Sequence, residues 1–176
     1  LISRKKKLGL DSAHKLGYNF ALKKKYNYFI TMDADLSHDP KEIKNFIHHL
    51  SYYPFVIGSR YIAGGKCLMT GKRLLLSKYG NLVIKKFLNI NLSEFTTSYR
   101  GFNLNKLKNF DLKKVKTKGY SFFMGTVFEI AQRNFDIKEI PIIFADRLKG
   151  SSKIPRLEIL RTLKNLAILF VKKFLF

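Results

Sequence analysis

Apolar and polar residues follow one another along this chain in blocks that predict helices and strands in turn. Apolar side chains recur at helical spacing over residues 11–25, 72–88 and 122–133. Residues 28–32 and 55–58 are short β-rich apolar runs, which are typical of buried strands. The alternation of strands with helices favours an α/β fold with a mostly parallel sheet flanked by helices.

The clearest helix start lies at residues 39–42. Asp39 is a candidate N-cap, Pro40 suits the first helical position, and Glu42 follows the cap by three residues. The side chains that this helix would turn inward are Ile43, Phe46, Ile47 and Leu50. A further strand is predicted over residues 137–145, with an interruption at Pro141.

The composition suits one compact domain over residues 1–176 and no linker divides it. Hydrophobic residues make up 46% of the chain, which excludes a disordered basic tail, and the single cysteine, Cys67, excludes a disulfide framework. The formal net charge of +22 indicates an anionic partner: nucleic acid, an anionic membrane surface or a phosphorylated substrate. Lys occurs in clusters such as residues 5–7, 23–25 and 113–114, which suit a solvated surface, whereas Arg is the better residue for phosphate recognition.

The last segment, residues 155–176, has an amphipathic pattern. Its apolar side carries Leu157, Leu160, Leu163, Ala167, Phe170 and Phe174. The charge-free stretch of residues 165–171 falls far short of the ~20 residues that a spanning helix needs. Two placements remain open: a helix lying in a membrane interface and a helix packed on the domain.

The strongest chemical signal is the pair Asp33 and Asp35, directly after the first predicted strand. Ligands of open α/β sheets bind at the carboxyl ends of the strands. Two carboxylates there can hold a Mg²⁺ or Mn²⁺ ion that shares its other positions with a diphosphate.

Cationic candidates cluster around the same predicted edge of the sheet. Arg60 follows the second strand, and Arg73 and Ser77 are one helical turn apart, so both can face one anion. Arg147 and Lys153 belong to a Gly- and Ser-containing segment near the end of the chain. Together these residues predict a site for phosphate oxygens beside a metal.

These segments together resemble a known family. The motifs that carry the likeness are MDADLSHDP (32–40), GSRYIAGG (58–65), KRLLLSKYGN (72–81), EIPIIFADRLKGSSK (139–153) and the opening RKKKLGLDSAHKLG (4–17). In order and spacing they are similar to the dolichol-phosphate mannosyltransferases, polyprenyl-monophosphate sugar synthases of glycosyltransferase family 2. The resemblance covers essentially the whole chain and implies a GT-A fold.

The resemblance also implies roles. Asp33 and Asp35 would hold Mg²⁺ or Mn²⁺ against the diphosphate of GDP-mannose, with Lys7 also on the donor side. Arg147 and Lys153 would close over that diphosphate. Arg60, Arg73 and Ser77 would bind the phosphate of the lipid acceptor, and with Asp35 they would form the catalytic set.

The implied reaction is an inverting transfer of mannose to a polyprenyl phosphate. A phosphate monoester is largely dianionic near neutral pH, since its second pKa is about 6, so no strong general base is required. The implied partners also include an anionic membrane surface at the cytoplasmic side, to which the protein would attach peripherally, and a membrane-anchored protein. Nucleic acid is disfavoured, because no recognition motif is present.

The sequence departs from the family pattern at several points. The family has roughly 50–70 further residues before the start of this chain, which include its first strand, so an N-terminally incomplete GT-A domain is expected. Glu94 stands where the family has Asp, Ser98 and Asp11 each replace a Gly, and Gly125 replaces a common Glu. Two alternatives follow: transfer of glucose or another sugar, and a non-catalytic, basic, membrane-associated protein.

Overall fold

The computed structural model of the chain describes residues 2–145 and 156–175. Helices and strands alternate through most of its length, as the pattern predicts. The helices are α1 (Leu10–Lys23), α2 (Ile43–Tyr52), α3 (Gly71–Leu88), α4 (Ser121–Ala131) and α5 (Arg156–Lys173). The strands are β1 (Tyr28–Thr31), β2 (Phe55–Ser59), β3 (Lys66–Cys67), β4 (Arg100–Asn103), β5 (Ile137–Pro141) and β6 (Ile143–Phe144).

The main sheet has the strand order β1-β4-β2-β5. β1, β2 and β5 run in one direction, and β4 lies between β1 and β2 in the opposite direction. Arg100, the first residue of β4, is therefore opposite both Thr31 of β1 and Ile57 of β2. Because of this register, the ends of β1 and β2 and the turn that precedes β4 meet at one edge of the sheet.

Helices cover both faces of this sheet. Phe55 and Ile57 of β2 point into the larger core, which α1, α3, α4 and α5 complete. Val56 points to the other face, where Phe46 and Leu50 of α2 pack on it. A second, two-stranded sheet pairs β3 with β6 in parallel.

The predicted start of α2 is confirmed. Residues Pro40–Glu42 form a single 3-10 turn that leads into the helix, and the Asp39 carboxylate accepts a hydrogen bond from the Lys41 amide at 2.9 Å. The prediction for Ile47 is wrong, since this side chain is exposed. The reason is that α2 lies on the sheet through a narrow stripe formed by Phe46 and Leu50.

Two features of the sheet differ from the prediction. β4 has no counterpart among the predicted strands, and it makes two of the three strand pairings antiparallel although three of the four strands share a direction. The predicted strand over 137–145 divides after Pro141, and its second part, β6, joins the small sheet instead.

The C-terminal helix packs on the domain through one face and exposes another. Leu166 and Leu169 are buried in the larger core, and α5 contacts α3 and α4. Most of the side predicted as apolar points to solvent: Leu157, Leu160, Leu163, Ala167, Phe170 and Phe174 are exposed. No helix within residues 2–145 and 156–175 is both long enough and apolar enough to cross a bilayer.

Candidate active site

The aspartate pair lies in a tight loop after β1. The Ser37 hydroxyl donates a hydrogen bond to Oδ1 of Asp35 at 2.5 Å, and the Ser37 amide donates to the same oxygen at 3.2 Å. Leu36 between them has a left-handed backbone with φ 66°. Asp33 and Asp35 are both partly exposed, so the loop presents two carboxylates at the edge of the sheet.

His38 supports this loop from beneath. Its Nδ1 accepts a hydrogen bond from the Asp33 amide at 3.0 Å, and its ring packs on Tyr99 and Phe144. Burial is the main cause that lowers the pKa of His38 below its ordinary value. A neutral ring is the form that can accept at Nδ1, so the low pKa preserves the hydrogen bond that holds the loop.

The turn before β4 faces the aspartates. The Ser98 hydroxyl donates to Oδ1 of Asp33 at 2.7 Å, and the Ser98 carbonyl accepts from the Thr31 hydroxyl at 2.6 Å. The turn formed by residues 94–98 is thereby joined to both the end of β1 and the first aspartate.

The same turn binds Arg60 through Glu94. Nε of Arg60 donates to Oε2 of Glu94 at 2.7 Å, and Nη2 donates to Oε1 at 2.8 Å and to the Thr96 hydroxyl at 3.0 Å. Burial alone raises the pKa of Glu94, but the charge of Arg60 and the hydrogen bonds from Arg60 and Thr96 outweigh it and hold that pKa below its ordinary value. Burial likewise opposes the charge on Arg60, and Glu94 outweighs it and raises the pKa of Arg60. The result is a buried, bidentate ion pair.

Helix α3 closes the other side of this turn. Tyr61 donates from its hydroxyl to the Ser77 hydroxyl at 2.7 Å. One helical turn further on, Asn81 donates to the Ser77 carbonyl at 2.9 Å and accepts from the Phe95 amide at 2.7 Å. Ser77 is thus fixed beside the residue that follows Arg60.

Arg100 holds the turn from inside the protein. Its guanidinium donates to the carbonyls of Thr97, Phe95 and Phe123 at 2.6–2.7 Å and lies over the Phe123 ring. Arg100 is among the largest fully buried side chains, and this burial lowers its pKa below the ordinary value. Three carbonyl acceptors take the place of water around this buried cation.

The structure brings four of the eight predicted site residues into one region. Asp33, Arg60 and Ser77 are joined through the 94–98 turn and α3, and Asp35 lies in the same loop as Asp33. Arg73 is exposed in the first turn of α3. Lys7 is exposed ahead of α1. The predicted donor-binding residues Arg147 and Lys153 lie outside the described residues. The last described residue before them is Ala145, whose amide donates to the Ser37 carbonyl at 3.1 Å.

Two of the connecting residues were not predicted as site residues. Glu94 is the partner of Arg60, and Ser98 is the partner of Asp33. Their signal in the sequence is the short polar run 93–100 between two helical segments. In this run Glu94 and Ser98 depart from the family motif, but the sequence does not indicate which residue each of these side chains contacts.

The donor set at the edge suits a hard divalent cation. Asp33 and Asp35 offer carboxylate oxygens, and Oδ1 of Asp33 is the oxygen that Ser98 engages, which leaves Oδ2 for a cation. Within residues 2–145 and 156–175, no group of three or more His, Cys, Asp or Glu side chains is arranged to hold a metal. A cation held by these two carboxylates has further coordination positions, which a diphosphate can fill.

Comparison with solved structures identifies the fold class. The structure of glucosyl-3-phosphoglycerate synthase from Mycobacterium tuberculosis in complex with uridine diphosphate matches with a TM-score of 0.58 at 13% identity, over 98% of this chain and 56% of that one. This likeness assigns the chain to the GT-A class of folds.

Sequence comparison then identifies the family. The profile named Glycosyl transferase family 2 matches residues 1–110, and the chain belongs to that family. Undecaprenyl-phosphate mannosyltransferase of Micrococcus luteus is 33% identical over 155 residues, which are 88% of this chain and 64% of the relative. Polyprenol monophosphomannose synthase of Mycolicibacterium smegmatis is 32% identical over 156 residues, 88% of this chain and 59% of the relative. The chain thus spans about three fifths of the length of these relatives.

Proposed function

We propose that the protein transfers mannose from GDP-mannose to a polyprenyl phosphate, with inversion and with Mg²⁺ or Mn²⁺. The observation that carries this proposal is the hydrogen-bonded turn 94–98. It joins Asp33, on the carboxylate side, to Arg60, on the cationic side. The two relatives described above, an undecaprenyl-phosphate mannosyltransferase and a polyprenol monophosphomannose synthase, support it.

The residues divide into a donor side and an acceptor side. On the donor side, Asp33 and Asp35 hold the cation, which when bound neutralises charge on the leaving diphosphate. On the acceptor side, Arg60, Arg73 and Ser77 bind the phosphate of the lipid. An already ionised phosphate needs orientation and charge screening rather than deprotonation, which suits a site that contains Arg60 and Arg73.

A cleft beside the acceptor side suits an amphiphilic substrate. It has a volume of about 200 Å³ and is lined by Tyr61, Lys78, Asn81, Leu82, Lys85, Leu92 and Ser93. In this cleft Lys78 and Lys85, which follow Ser77 on α3, lie beside the apolar side chains of Leu82 and Leu92. This mixture matches a phosphate that carries a hydrocarbon chain.

The proposal includes peripheral attachment to the cytoplasmic face of an anionic membrane. An exposed apolar stripe runs along α3, formed by Leu75, Leu76, Tyr79, Leu82, Val83 and Phe87. The ring of Phe87 meets that of Phe170 on α5 at 5.6 Å, so the exposed faces of the two helices are continuous. Beside this surface, a cleft of about 540 Å³ is lined by four cations, Lys116, Lys118, Arg161 and Lys164. An apolar face with a cationic flank is the pattern of interfacial membrane binding.

The proposal is tested by a transfer assay with the full-length protein, GDP-mannose and a polyprenyl phosphate. We expect a mannosyl lipid that forms only with Mg²⁺ or Mn²⁺, and a rate at least about 100-fold lower in Asp35→Asn. Asp39→Asn is the matched control. It changes an acid in the same loop that caps the next helix, and Asn caps helices equally well. Transfer that persists in Asp35→Asn, or a folded protein without turnover, would contradict the proposal. Competition among GDP-mannose, GDP-glucose and UDP-glucose then tests the donor.

A further inference from the structure

Ser98 makes a long-range contact with the first aspartate. Its side chain is buried, and its hydroxyl donates to Oδ1 of Asp33 at 2.7 Å across 65 residues of sequence. A hydroxyl that donates to a carboxylate forms a charge-assisted bond, stronger than a bond between neutral groups. A glycine, which the resembled motif has at this position, offers no such donor.

The backbone around Ser98 is held independently of this hydroxyl. Its carbonyl accepts from Thr31 at 2.6 Å, and Arg100 binds the carbonyls of Phe95 and Thr97 within the turn. The hydroxyl therefore projects from a fixed support. The support also carries Glu94, the partner of Arg60.

The equivalent contact on the second aspartate is local. Ser37 donates to Oδ1 of Asp35, two residues away, as part of the loop's own turn. Each aspartate thus has one oxygen engaged by a serine hydroxyl. Of these two serine contacts, the one at Ser98 links an aspartate to a distant part of the chain, whereas the one at Ser37 lies within the loop.

We propose that Ser98 is a positioning residue that fixes the Asp33 carboxylate, with Oδ1 engaged and Oδ2 directed to the divalent cation. This inference rests on the proposed function in that a cation binds at Asp33. Groups that orient a metal ligand without touching the metal commonly change metal affinity 10- to 100-fold when they are removed. The 94–98 turn would then set the position of the cation relative to Arg60.

The test is a titration of the protein with Mn²⁺, followed by electron paramagnetic resonance, with and without GDP. In Ser98→Ala we expect a Mn²⁺ affinity that is about tenfold lower, together with a changed spectrum of the bound ion. Ser98→Thr keeps the hydroxyl and should retain most of the affinity. Thermal unfolding of each variant verifies that it is folded.

Thr31→Val is the matched control. It removes a hydrogen bond to the same turn and leaves the Ser98 hydroxyl in place. We expect wild-type Mn²⁺ affinity in this variant. An equal loss of Mn²⁺ affinity in Thr31→Val and Ser98→Ala would overturn the inference. The affinity would then depend on the position of the turn and not on the Ser98 hydroxyl. Unchanged affinity in Ser98→Ala would overturn it as well.

The outcome is separable from that of the transfer assay, because Mn²⁺ binding needs neither sugar nor lipid. If the protein binds Mn²⁺ in a manner that depends on Ser98 but transfers no mannose, the proposed function fails and the inference stands. Wild-type protein that binds no Mn²⁺ in either titration overturns the inference.

Discussion

At the scale of single residues, the ion pair between Arg60 and Glu94 is the most consequential contact of the site. Both side chains are buried, so removal of one charge leaves the other without a partner and without water. We expect Glu94→Gln to lower the free energy of unfolding by about 3 kcal/mol and to abolish most transfer. Urea unfolding near neutral pH and the transfer assay measure the two effects.

Arg161→Gln is the control for that experiment. Arg161 pairs with Glu158 on α5, but its side chain is 52% exposed. Exposed ion pairs contribute about 0–1 kcal/mol, so this variant should unfold almost as the wild type does. Similar losses in the two variants would show that burial does not distinguish the two pairs.

His14 provides a stability prediction that depends on pH. Burial, and then the charge of Arg100, lower the pKa of His14 to about 4, against opposing effects of Asp33 and Asp11. In the unfolded chain His has a pKa of about 6.5, so between these two values the unfolded state binds a proton that the folded state does not. The free energy of unfolding therefore falls as the pH falls through this window, by up to about 3 kcal/mol from this group.

The measurement is urea unfolding of wild type and His14→Gln at about pH 7 and about pH 4.5. The variant should lose less stability on acidification than the wild type. Some dependence will remain, because burial also lowers the pKa of His38. An identical loss in both proteins would contradict the prediction.

Gly125 lies where the core has no room for a larger side chain. A Cβ at this position would overlap Oγ1 of Thr117, a buried atom without a hydrogen-bond partner among the described residues. We expect Gly125→Ala to cost about 1–3 kcal/mol of stability, as overpacking of a core does. Thermal unfolding should show partial recovery in the double variant Gly125→Ala/Thr117→Ala, and no recovery would place the strain elsewhere.

The sequence predicts much of the site but not its connections. Asp33 and Arg60 follow apolar strands, and since such strands end at a common edge, their proximity could be predicted. The roles of Glu94 and Ser98 could not, because they depend on the turn before β4, and β4 itself was not predicted. Which partner a polar side chain contacts depends on how the strands are arranged in the sheet, and the spacing of residues along the sequence does not give that arrangement.

At the scale of elements, β4 shows why a strand can escape a pattern-based prediction. Its sequence of Arg100, Gly101, Phe102 and Asn103 has no β-branched residue, and a glycine ordinarily weakens a strand. The glycine is required here because a Cβ at Gly101 would lie 2.7 Å from Cδ1 of Leu50. Close packing of α2 on the sheet therefore selects a residue that local propensity disfavours.

Helix α5 shows the complementary case, in which the element is predicted and its orientation is not. The periodicity of its leucines identifies an amphipathic helix but does not say whether lipid or protein covers the apolar side. In the structure the helix turns Leu166 and Leu169 into the core and leaves Leu160 and Leu163 exposed. A pair formed by Lys172 and Glu129 on α4, at 2.5 Å, fixes its C-terminal half.

This orientation predicts opposite behaviour for two neighbouring leucines. Leu166→Ala removes a buried side chain and should lower the free energy of unfolding by about 2–4 kcal/mol. Leu163→Ala should change stability by less than about 0.5 kcal/mol but should weaken binding to anionic vesicles. Urea unfolding and vesicle sedimentation separate the two effects, and equal destabilisation by both changes would contradict the orientation.

At the scale of the whole molecule, the net charge of +22 and the apolar face of α3 and α5 act together. Attraction between surface charges is screened by salt, whereas burial of apolar surface is not. We expect binding to anionic vesicles to weaken strongly between about 50 mM and about 500 mM salt, with residual binding at the higher value. Sedimentation with anionic and with neutral vesicles measures it. Vesicle binding that does not change with salt concentration would contradict an electrostatic contribution.

The position of β4 has a consequence for how the chain folds as it is synthesised. β1 and β2 are not hydrogen-bonded neighbours, because β4 lies between them, and 67 residues separate Thr31 from its partner Ser98. The first two strands of the main sheet therefore leave the ribosome before the strand that joins them exists. Until β4 is made, they expose unpaired strand edges and apolar side chains, and nascent chains in that condition aggregate or recruit chaperones. The strand that joins β1 to β2 also brings with it the turn that contacts Asp33.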